Sequence, residues 1–407
     1  MLPVETSLHL HLKVAGERAS FNDVADWAQR VSKEIGQELI RSILWNVQVR
    51  HAERVLRGSG EVICVRCGVV HSGSGVVRRG SRARKVRTSS GLICFRLLQL
   101  TCRECGATWS PYPALLGLEP RSRVSDELLK QLFEGVVLTS YAKTTKLADA
   151  WLGSSISSRT LHSAVQKRAA AIEFTEAPGL ETIIADGSMV KAGDRKRGEE
   201  YCVSYQLQDH DRSQRRACVK KRVIGFGFGR TGWYQAFNNA TAPKLVVTDG
   251  EQGIRQSVAA AYPNARHQLC EWHVPHTTGI LMVMDGGLPL GKRKRIVAAL
   301  HDTIKRRDRE GYKRITRGLR PRSHARVYLE NAEPYIMYRR RSSVRTTSWA
   351  ERDMRELNRR TDVGVRWSPS GAAYMLILRL ATLHNRDDYE RIWTRPNPLA
   401  YNLMLSS

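Results

Sequence analysis

Asp186, Asp249 and Glu351 are acidic residues in contexts suited to metal-dependent phosphoryl transfer. Asp186 and Asp249 each follow a short β-branched run and precede a glycine, so each is predicted to lie where a buried strand gives way to a turn. Glu351 lies in a charged segment, residues 347–361, that lacks Pro and Gly and is predicted to be helical. Ligands of open α/β sheets bind at such strand ends, and a helix laid across the sheet could bring Glu351 to the same edge.

Carboxylates that converge in this way would hold Mg²⁺ or Mn²⁺. Mg²⁺ prefers oxygen ligands and is usually held by one or two protein carboxylates plus substrate phosphates. Three acids can therefore share two ions, about 3.5 to 4 Å apart, which serve the attacking and leaving oxygens of an in-line displacement. An Asp before Gly is often only a turn former, and a Glu on a charged helix is usually solvated, so each residue alone leaves both interpretations open.

The composition indicates a nucleic-acid partner. The 407 residues include 66 Lys and Arg against 39 Asp and Glu, a formal net charge of +27. Such an excess attracts polyanions, so double-stranded DNA is the expected partner. The 42% of hydrophobic residues suffices for two or three globular units. No apolar run approaches the roughly 18 residues of a membrane span, and the amino terminus lacks a secretory pattern, so we expect a soluble, cytoplasmic, nucleoid-associated protein without membrane contact.

Four of the eight cysteines form two Cys-x-x-Cys pairs, Cys64 with Cys67 and Cys102 with Cys105, each followed by Gly. Two such knuckles offer the four thiolates of a tetrahedral structural Zn²⁺ site, and the pattern is typical of a zinc ribbon. The long gap between the pairs predicts a basic loop or an extra hairpin. Two disulfides are the alternative, which the absence of an export signal disfavours.

We predict a multidomain α+β chain. Residues 21–56 have apolar residues at helical spacing. The expected regions are an N-terminal helical region at 1–60, the zinc ribbon at 61–120, a helix-turn-helix at 121–177, and a ribonuclease H-like mixed α/β catalytic domain at 178–407 with an all-helical insertion at about 276–343. The insertion is inferred because the segment between the second and third acids is longer than a simple connection requires.

The helix-turn-helix is inferred from predicted helices at 126–138, 141–152 and 158–171, with Gly153 between the last two. A plain three-helix packing module fits the sequence equally well, and the basic chain favours DNA. The candidate DNA contacts are Arg159, His162, Gln166 and Lys167 on the third helix, and Lys292, Arg293, Lys305 and Arg306 in the insertion.

The catalytic domain is inferred from a change of pattern after residue 178. Short apolar runs predict strands at 182–185, 201–207, 222–228, 245–248 and 265–269, with a helix at 252–261. Strands in a row followed by alternating helix and strand indicate a mixed sheet of the ribonuclease H type. Gly225, Gly227 and Gly229 lack the spacing of a phosphate loop, so we expect them to allow close packing of the strand.

Four motifs from about residue 180 to 385 occur in the order and spacing of one family. They are Ala185-Asp186-Gly187, Thr248-Asp249-Gly250 with Tyr262-Pro263, Cys270-x-x-His273, and the Thr-Thr-Ser-x-x-Glu of residues 346–351 followed by Asn358, Arg359, Arg360 and Thr361. These resemble the motifs of the DDE transposases of the Mutator type, with Ser348 in place of the usual Asn. The segment 367–372 and the ribbon are more similar to the zinc-ribbon-bearing branch of bacterial insertion-sequence transposases.

This resemblance implies that Asp186, Asp249 and Glu351 are the catalytic acids, with Asp186 bridging two metal ions. It also implies binding of terminal inverted repeats, cleavage that frees a 3′-hydroxyl, transfer of that hydroxyl to target DNA, and a homodimer or higher oligomer on DNA. Cys270 and His273 do not complete a zinc site, so we expect a packed thiol and a His that orients backbone or DNA phosphate. Two alternatives remain: a catalytically inactive or domesticated zinc-containing DNA-binding protein, and a ribonuclease H-like nuclease without strand transfer.

Overall fold

The computed structural model describes residues 20–394 except 120, 180, 211–218, 240–241 and 338–343. Residues 1–19 of the expected N-terminal region, 338–343 of the expected insertion and 395–407 of the expected catalytic domain therefore lie outside the described residues. The chain divides into two compact units. Unit 1 comprises Met1–Ala164 with Ile392–Ser407, and unit 2 comprises Val165–Arg391.

Unit 1 begins with a long helix, α1 (Phe21–Leu56), which confirms the helix predicted there. Ser20 starts it in a capping box: the Ser20 hydroxyl accepts from the Asp23 amide at 3.2 Å, and the Asp23 carboxylate accepts from the Ser20 amide at 3.0 Å. Gln48 is buried on its inner face, donating to the Arg96 carbonyl at 3.0 Å and accepting from the Leu98 amide at 3.0 Å. These bonds satisfy the buried amide and hold the helix on the sheet behind it.

Five strands follow the helix. They are β1 (Val62–Ile63), β2 (Val70–His71), β3 (Val76–Thr88), β4 (Gly91–Cys102) and β5 (Thr108–Trp109), and the short helix α2 (Tyr112–Leu115) comes next. Strands β1 and β2 pair antiparallel, and β3, β4 and β5 form an antiparallel three-stranded sheet. The β3–β4 hairpin fills the gap between the two cysteine pairs, which confirms the extra hairpin expected there.

Three helices complete the first unit: α3 (Asp126–Val136), α4 (Tyr141–Leu152) and α5 (Ser158–Ala169), the last of which runs on into unit 2. Gly153 ends α4 with a φ of 62°, a left-handed conformation that glycine adopts without strain. Ser157 precedes α5, and its hydroxyl accepts from the Thr160 amide at 3.1 Å. The helix, glycine turn and capped helix agree with the predicted secondary structure.

Unit 2 is built on a mixed five-stranded sheet. Its strands are β6 (Thr182–Val190), β7 (Glu199–His210), β8 (Val219–Phe228), β9 (Leu245–Thr248) and β10 (Arg266–Leu269), in the order β10-β9-β6-β7-β8. Strands β6, β7 and β8 pair antiparallel, whereas β6, β9 and β10 pair parallel. The five predicted strands and their mixed sheet are thus confirmed.

Helices cover both faces of this sheet. The helices described in unit 2 are α6 (Gly232–Ala236), α7 (Gln252–Ala261), α8 (His273–Met284), α9 (Leu290–Arg306), α10 (Arg309–Arg317), α11 (His324–Ile336), α12 (Ser348–Thr361), α13 (Pro369–His384) and α14 (Arg386–Arg391). Helices α12 and α13 share one apolar core with the sheet, and α6 and α7 share another. A Cβ at Gly225 or Gly227 would collide with the backbone carbonyls of Ala236 or Gly232, which confirms close packing at these glycines.

Helices α8 to α11 lie between β10 and α12 in the chain. They form a hydrophobic core with Leu269 of β10, in which Leu300, Tyr312 and Leu329 are fully buried. None of the helices in the described part of the chain is both long and apolar enough to cross a membrane.

Candidate active site and metal centres

Asp186 and Asp249 lie side by side on the sheet, at the carboxyl end of β9. Asp249 follows β9 directly, as predicted, but the prediction that Asp186 also ends its strand is wrong, because β6 stays paired with β7 as far as Val190. In the parallel pair of β6 with β9, Ile184 is the partner of Val247, and each Asp follows two residues later. Because side chains two residues apart on a strand point to the same face, the two carboxylates lie on one face of the sheet in equivalent positions. Asp186 is 7% exposed. Its carboxylate accepts from the Gly187 amide at 2.9 Å, and that of Asp249 accepts from the Glu251 amide at 3.4 Å.

The two carboxylates repel each other. Burial and then the charge of Asp249 raise the pKa of Asp186 to about 7, and the charge of Glu351 adds to this, although the Gly187 amide and the positive His273 oppose it. Burial likewise raises the pKa of Asp249. A cation placed among these oxygens would remove the repulsion, so the acids have the electrostatic character of a metal site.

Glu351 reaches this edge because the segment before α12 is hydrogen-bonded to the end of β10. The side-chain amide of Gln268 donates to the Val344 carbonyl at 2.9 Å, and the backbone amide of Thr347 donates to the Cys270 sulfur at 3.5 Å. Two turns beyond Glu351, Asn358 donates to the Ser188 hydroxyl at 2.9 Å. Residues seven apart share a helix face, so the face of α12 that carries Glu351 lies along the strand of Asp186.

His273 lies beside Glu351 and is positively charged. Its Nε2 is 3.5 Å from Glu351 Oε1, and its Nδ1 is 3.4 Å from the Thr347 hydroxyl. Burial lowers the pKa of His273, but the bond to Cys270 and the negative charges of Cys270, Asp249 and Glu351 outweigh it and raise that pKa to about 9. Cys270 is buried; burial raises its pKa, but His273 and the Thr347 amide lower it overall. This pair thus joins the acids instead of forming a separate centre.

The three acids are spread further apart than the ligands of one ion. Among the described residues, their ligand atoms do not form a group lying within 4.8 Å of one another. Mg²⁺ holds its oxygens at about 2.0 to 2.1 Å, so one ion could not contact all three carboxylates in this arrangement. The donors are carboxylate oxygens, buried at Asp186 and half-buried at Asp249 and Glu351, which fit Mg²⁺ or Mn²⁺.

Two further carboxyl groups at this edge are missed by the sequence reasoning. Burial and the charges of Glu251 and Asp249 raise the pKa of Glu200, and burial and Asp249 raise that of Glu251. Glu251 could have been found because it follows Asp249 by two residues. Glu200 could not, since only the register of β7 beside β6, in which it faces Met189, brings it near.

The four ribbon cysteines form the second candidate centre, and their ligand atoms all lie within 4.8 Å of one another. Cys64 Sγ is 3.6 Å from Cys105 Sγ, and Cys67 Sγ is 3.9 Å from Cys102 Sγ. All four cysteines have free thiols, so the alternative of two disulfides does not hold in this structure. The two sulfur–sulfur distances match the roughly 3.8 Å expected between sulfurs held about 2.3 Å from a tetrahedral Zn²⁺.

Each cysteine pair is shaped by its own backbone. The Gly68 amide donates to the Cys64 carbonyl and the Gly106 amide to the Cys102 carbonyl, both at 3.0 Å, and both glycines have φ near 70°. The Cys67 amide is the main cause that lowers the pKa of Cys64, to about 6. One thiol is thus readily ionised at neutral pH, as a metal ligand must be.

His71 lies against this cluster, although the sequence reasoning did not select it. It is 3% exposed, and its Nε2 is 3.1 Å from Cys102 Sγ. With Cys67 and Glu104 it also forms a second group whose ligand atoms lie within 4.8 Å of one another. A His after a Cys-x-x-Cys knuckle could have been noticed, but its contact with the other knuckle requires the fold.

Some of the predicted DNA contacts are exposed, and others are partly buried. Arg159 and Lys167 are exposed on α5, whereas His162 packs edge-on against Tyr141 and Gln166 has a buried amide nitrogen. Lys292, Lys305 and Arg306 are exposed on α9, and Arg293 is half-buried there. Arg306 pairs with Asp302 at 2.9 Å.

Comparison with known proteins identifies one family. Residues 228–277 match the family model of the MULE transposase domain, and this match supports a Mutator-type transposase. The matched segment runs from the end of β8 into α8 and includes Asp249, Cys270 and His273. No curated protein matches the chain.

The thiol geometry predicts the effect of removing one ligand. Cys64→Ser or Cys102→Ser should lower bound zinc from about one ion per chain to far less and make unit 1 sensitive to protease, because serine supplies no thiolate. Elemental analysis and limited proteolysis measure this. Cys94→Ser is the matched control, since Cys94 is an exposed cysteine of β4 outside the cluster. Wild-type protein purified under reducing conditions without zinc would contradict the assignment.

The raised pKa of Asp186 predicts that this residue destabilises the metal-free fold. Its ordinary pKa is 3.8 and its folded value is about 7, so between those pH values the folded state keeps a proton that the unfolded chain has released. Stability should therefore fall as pH rises across that window and stay low above it. Asp186→Asn removes this penalty, so calorimetry at pH 8 without Mg²⁺ should show a higher Tm for unit 2.

The size of that gain is bounded. One pKa unit corresponds to about 1.4 kcal/mol, and 1 kcal/mol shifts the Tm of a domain of this size by about 2 to 4 °C. We expect a rise of several degrees at pH 8 that disappears near pH 4, with Mg²⁺ raising the Tm of the wild type only. Glu356→Gln, a change elsewhere on α12, is the control. An Asn variant that melts at or below the wild-type temperature at pH 8 would refute the prediction.

Proposed function

From the Mutator-type transposase supported by the family match, we propose a DDE enzyme that binds the terminal inverted repeats of its element. It cleaves one DNA strand to free a 3′-hydroxyl and transfers that hydroxyl to target DNA. The observation that carries this proposal is the arrangement of Asp186, Asp249 and Glu351 at one sheet edge, where the first two interact electrostatically and the third contacts His273.

We also propose that the unit 2 domain is ribonuclease H-like and that the protein belongs to the zinc-ribbon-bearing branch of bacterial insertion-sequence transposases. Three antiparallel strands, followed by two parallel strands that place β6 at the centre, support the first point. The cysteine cluster supports the second.

In this proposal Asp186 would bridge two Mg²⁺ or Mn²⁺ ions, and Asp249 and Glu351 would each hold one. Bound there, the ions would activate the attacking oxygen and stabilise the leaving oxygen of each in-line transfer. Asp186 is held by the Gly187 amide, and Asp249 by the turn after β9. Both acids must release any proton before they bind a cation, which favours activity at neutral to alkaline pH.

His273 has a positioning role in this scheme. Its imidazolium pairs with Glu351 and lies near the Thr347 hydroxyl, so it fixes the first turn of α12 at the sheet edge. The positive charge also offsets part of the repulsion among the acids. The buried Cys270 accepts from the Thr347 amide and supports the same turn.

DNA binding is proposed to be divided between the two basic helices. The exposed Arg159 on α5 is suited to base edges in a helix-turn-helix, whereas α9, rich in Lys and Arg, is suited to phosphates. A homodimer or higher oligomer on DNA is expected, because two element ends must be brought together.

Substitution of the acids tests the catalytic proposal. Asp186→Asn, Asp249→Asn and Glu351→Gln should each lower strand cleavage of the element's own ends, with Mg²⁺, by at least about 10²- to 10³-fold. Binding of the ends should be nearly unchanged, since DNA affinity comes mainly from phosphate contacts. Gel assays of cleavage and joining, with anisotropy for binding, measure both.

Glu356→Gln is the matched control, because Glu356 lies five residues from Glu351 on α12 and pairs with Arg359 at 2.6 Å. If Glu351→Gln retains activity and Glu356→Gln loses it, the third acid is misassigned. Specific binding without cleavage by the wild type would favour the catalytically inactive DNA-binding protein. Cleavage without joining would favour the ribonuclease H-like nuclease.

Salt titrations test the division of DNA binding. Arg159→Ala should weaken binding to the true end by about 1 to 3 kcal/mol and to random DNA very little. Lys292→Ala with Lys305→Ala should weaken both DNAs alike and reduce the slope of log affinity against log salt by about two. Equal losses on both DNAs for Arg159→Ala would assign specificity to another element, with the ribbon as the next one to test.

A further inference from the structure

A cavity of about 530 Å³ lies next to the carboxylate edge. Trp272 and Glu271 form one wall, at the turn between β10 and α8. Arg345 and Thr346, from the segment before α12, form another, and α9 contributes His301. The cavity is close to the acids in the fold, because His273, the neighbour of Trp272, contacts Glu351.

The lining of the cavity mixes apolar and polar groups, and its charges are balanced, because the acidic Glu271 and Asp302 are matched by the basic Lys305 and Arg345. Glu271 is 6% exposed and forms ion pairs with both Arg307 and Arg345, the latter with Nε at 2.8 Å. Burial and then His276 lower the pKa of His301, so its imidazole is neutral at physiological pH. Such a lining offers donors and acceptors without the large excess of positive charge that a phosphate site has.

Trp272 gives this cavity an aromatic wall. Its indole is 45% exposed, although it adjoins the buried Cys270 and Glu271. It stacks on the His276 ring with centroids 4.6 Å apart and planes at 17°, and it meets the His273 ring edge-on at 5.0 Å. An aromatic surface that is packed against two histidine rings and still half-exposed is suited to stacking against a flat ligand.

We propose that the cavity at Trp272 receives one unpaired nucleobase of the DNA, from a nucleotide next to the bond that is cleaved. This rests on the proposed function, because the acids define where that bond lies. A nucleobase is flat and neutral with hydrogen-bonding edges, which matches the aromatic wall and the mixed lining with its balanced charges. Stacking on Trp272 offsets the free energy of unpairing the base, and its removal from the helix opens the backbone beside the acids.

The test uses duplexes carrying the element's terminal inverted repeat, in which each nucleotide flanking the cleavage site is replaced in turn by an abasic one. Cleavage rates with Mg²⁺ and dissociation constants, the latter in an Asp186→Asn background, are compared for wild type, Trp272→Ala and Trp272→Phe. Ile280→Ala removes a similarly exposed apolar side chain from α8 and is the control.

On fully paired DNA, Trp272→Ala should slow cleavage by about 10- to 100-fold, whereas Trp272→Phe and Ile280→Ala should change it less than about threefold. At one flanking position an abasic nucleotide should restore Trp272→Ala to within about threefold of wild type, because no base remains to be unpaired. The dissociation constants should show the same rescue.

Two results would overturn the inference: an unchanged rate for Trp272→Ala on paired DNA, or the same loss on paired and abasic DNA at every position. Either result, with active wild-type enzyme, leaves the transposase proposal intact. A wild type that neither cleaves nor joins would instead contradict the proposed function. In that case the binding constants still decide about the cavity, since rescue by an abasic nucleotide does not require chemistry.

Discussion

Repulsion between the carboxylates of Asp186 and Asp249 is the constraint on which unit 2 depends. The parallel pairing of β6 with β9 places the two groups in equivalent positions, and because Asp186 is buried and Asp249 half-buried, water screens their charges only in part. The sheet must therefore be stable enough to hold an arrangement that is unfavourable without a cation. Its core supplies that stability, with Ile183, Ile184, Val246 and Val247 fully buried on the strands that lead to the acids.

The third acid is held by a different means. In the described residues, four helices lie between β10 and α12 in the chain, and they pack in a core that they share with Leu269 at the end of β10. Loop-closure entropy grows only slowly with length, and a few hydrogen bonds suffice to bring the chain back. Gln268 and Cys270 make these bonds to residues 344–347, at the end of the strand beside Asp249. Glu351 is therefore placed by contacts with β10 and not by its distance along the sequence.

Local pattern and global register explain which features can be predicted from the sequence. The helix Phe21–Leu56, the five strands of the mixed sheet and the two cysteine knuckles are encoded by spacing within a few residues. Asp249 could be selected because it follows a strand and precedes a glycine, and Asp186 because it precedes a glycine after an apolar run, although β6 continues past it to Val190. His71 could have been noticed beside its own knuckle, but its contact with the other knuckle, and the positions of Glu200 and Trp272, depend on segments far apart in the chain. The roles of these residues become visible only when strand register and helix packing are known.

The two candidate metal centres differ in the same way, since one is shaped by local sequence and the other by the register of distant segments. Each cysteine knuckle is closed by its own backbone bonds, so the two thiols of each pair are placed locally, and binding of Zn²⁺ between the pairs would contribute directly to the folding of unit 1. The carboxylates meet only after the sheet and α12 have formed, and their repulsion opposes that folding. Mg²⁺ at this edge would relieve a stress already built into the folded chain. His273 already reduces this repulsion without a metal ion, because its positive charge lies close to the acids.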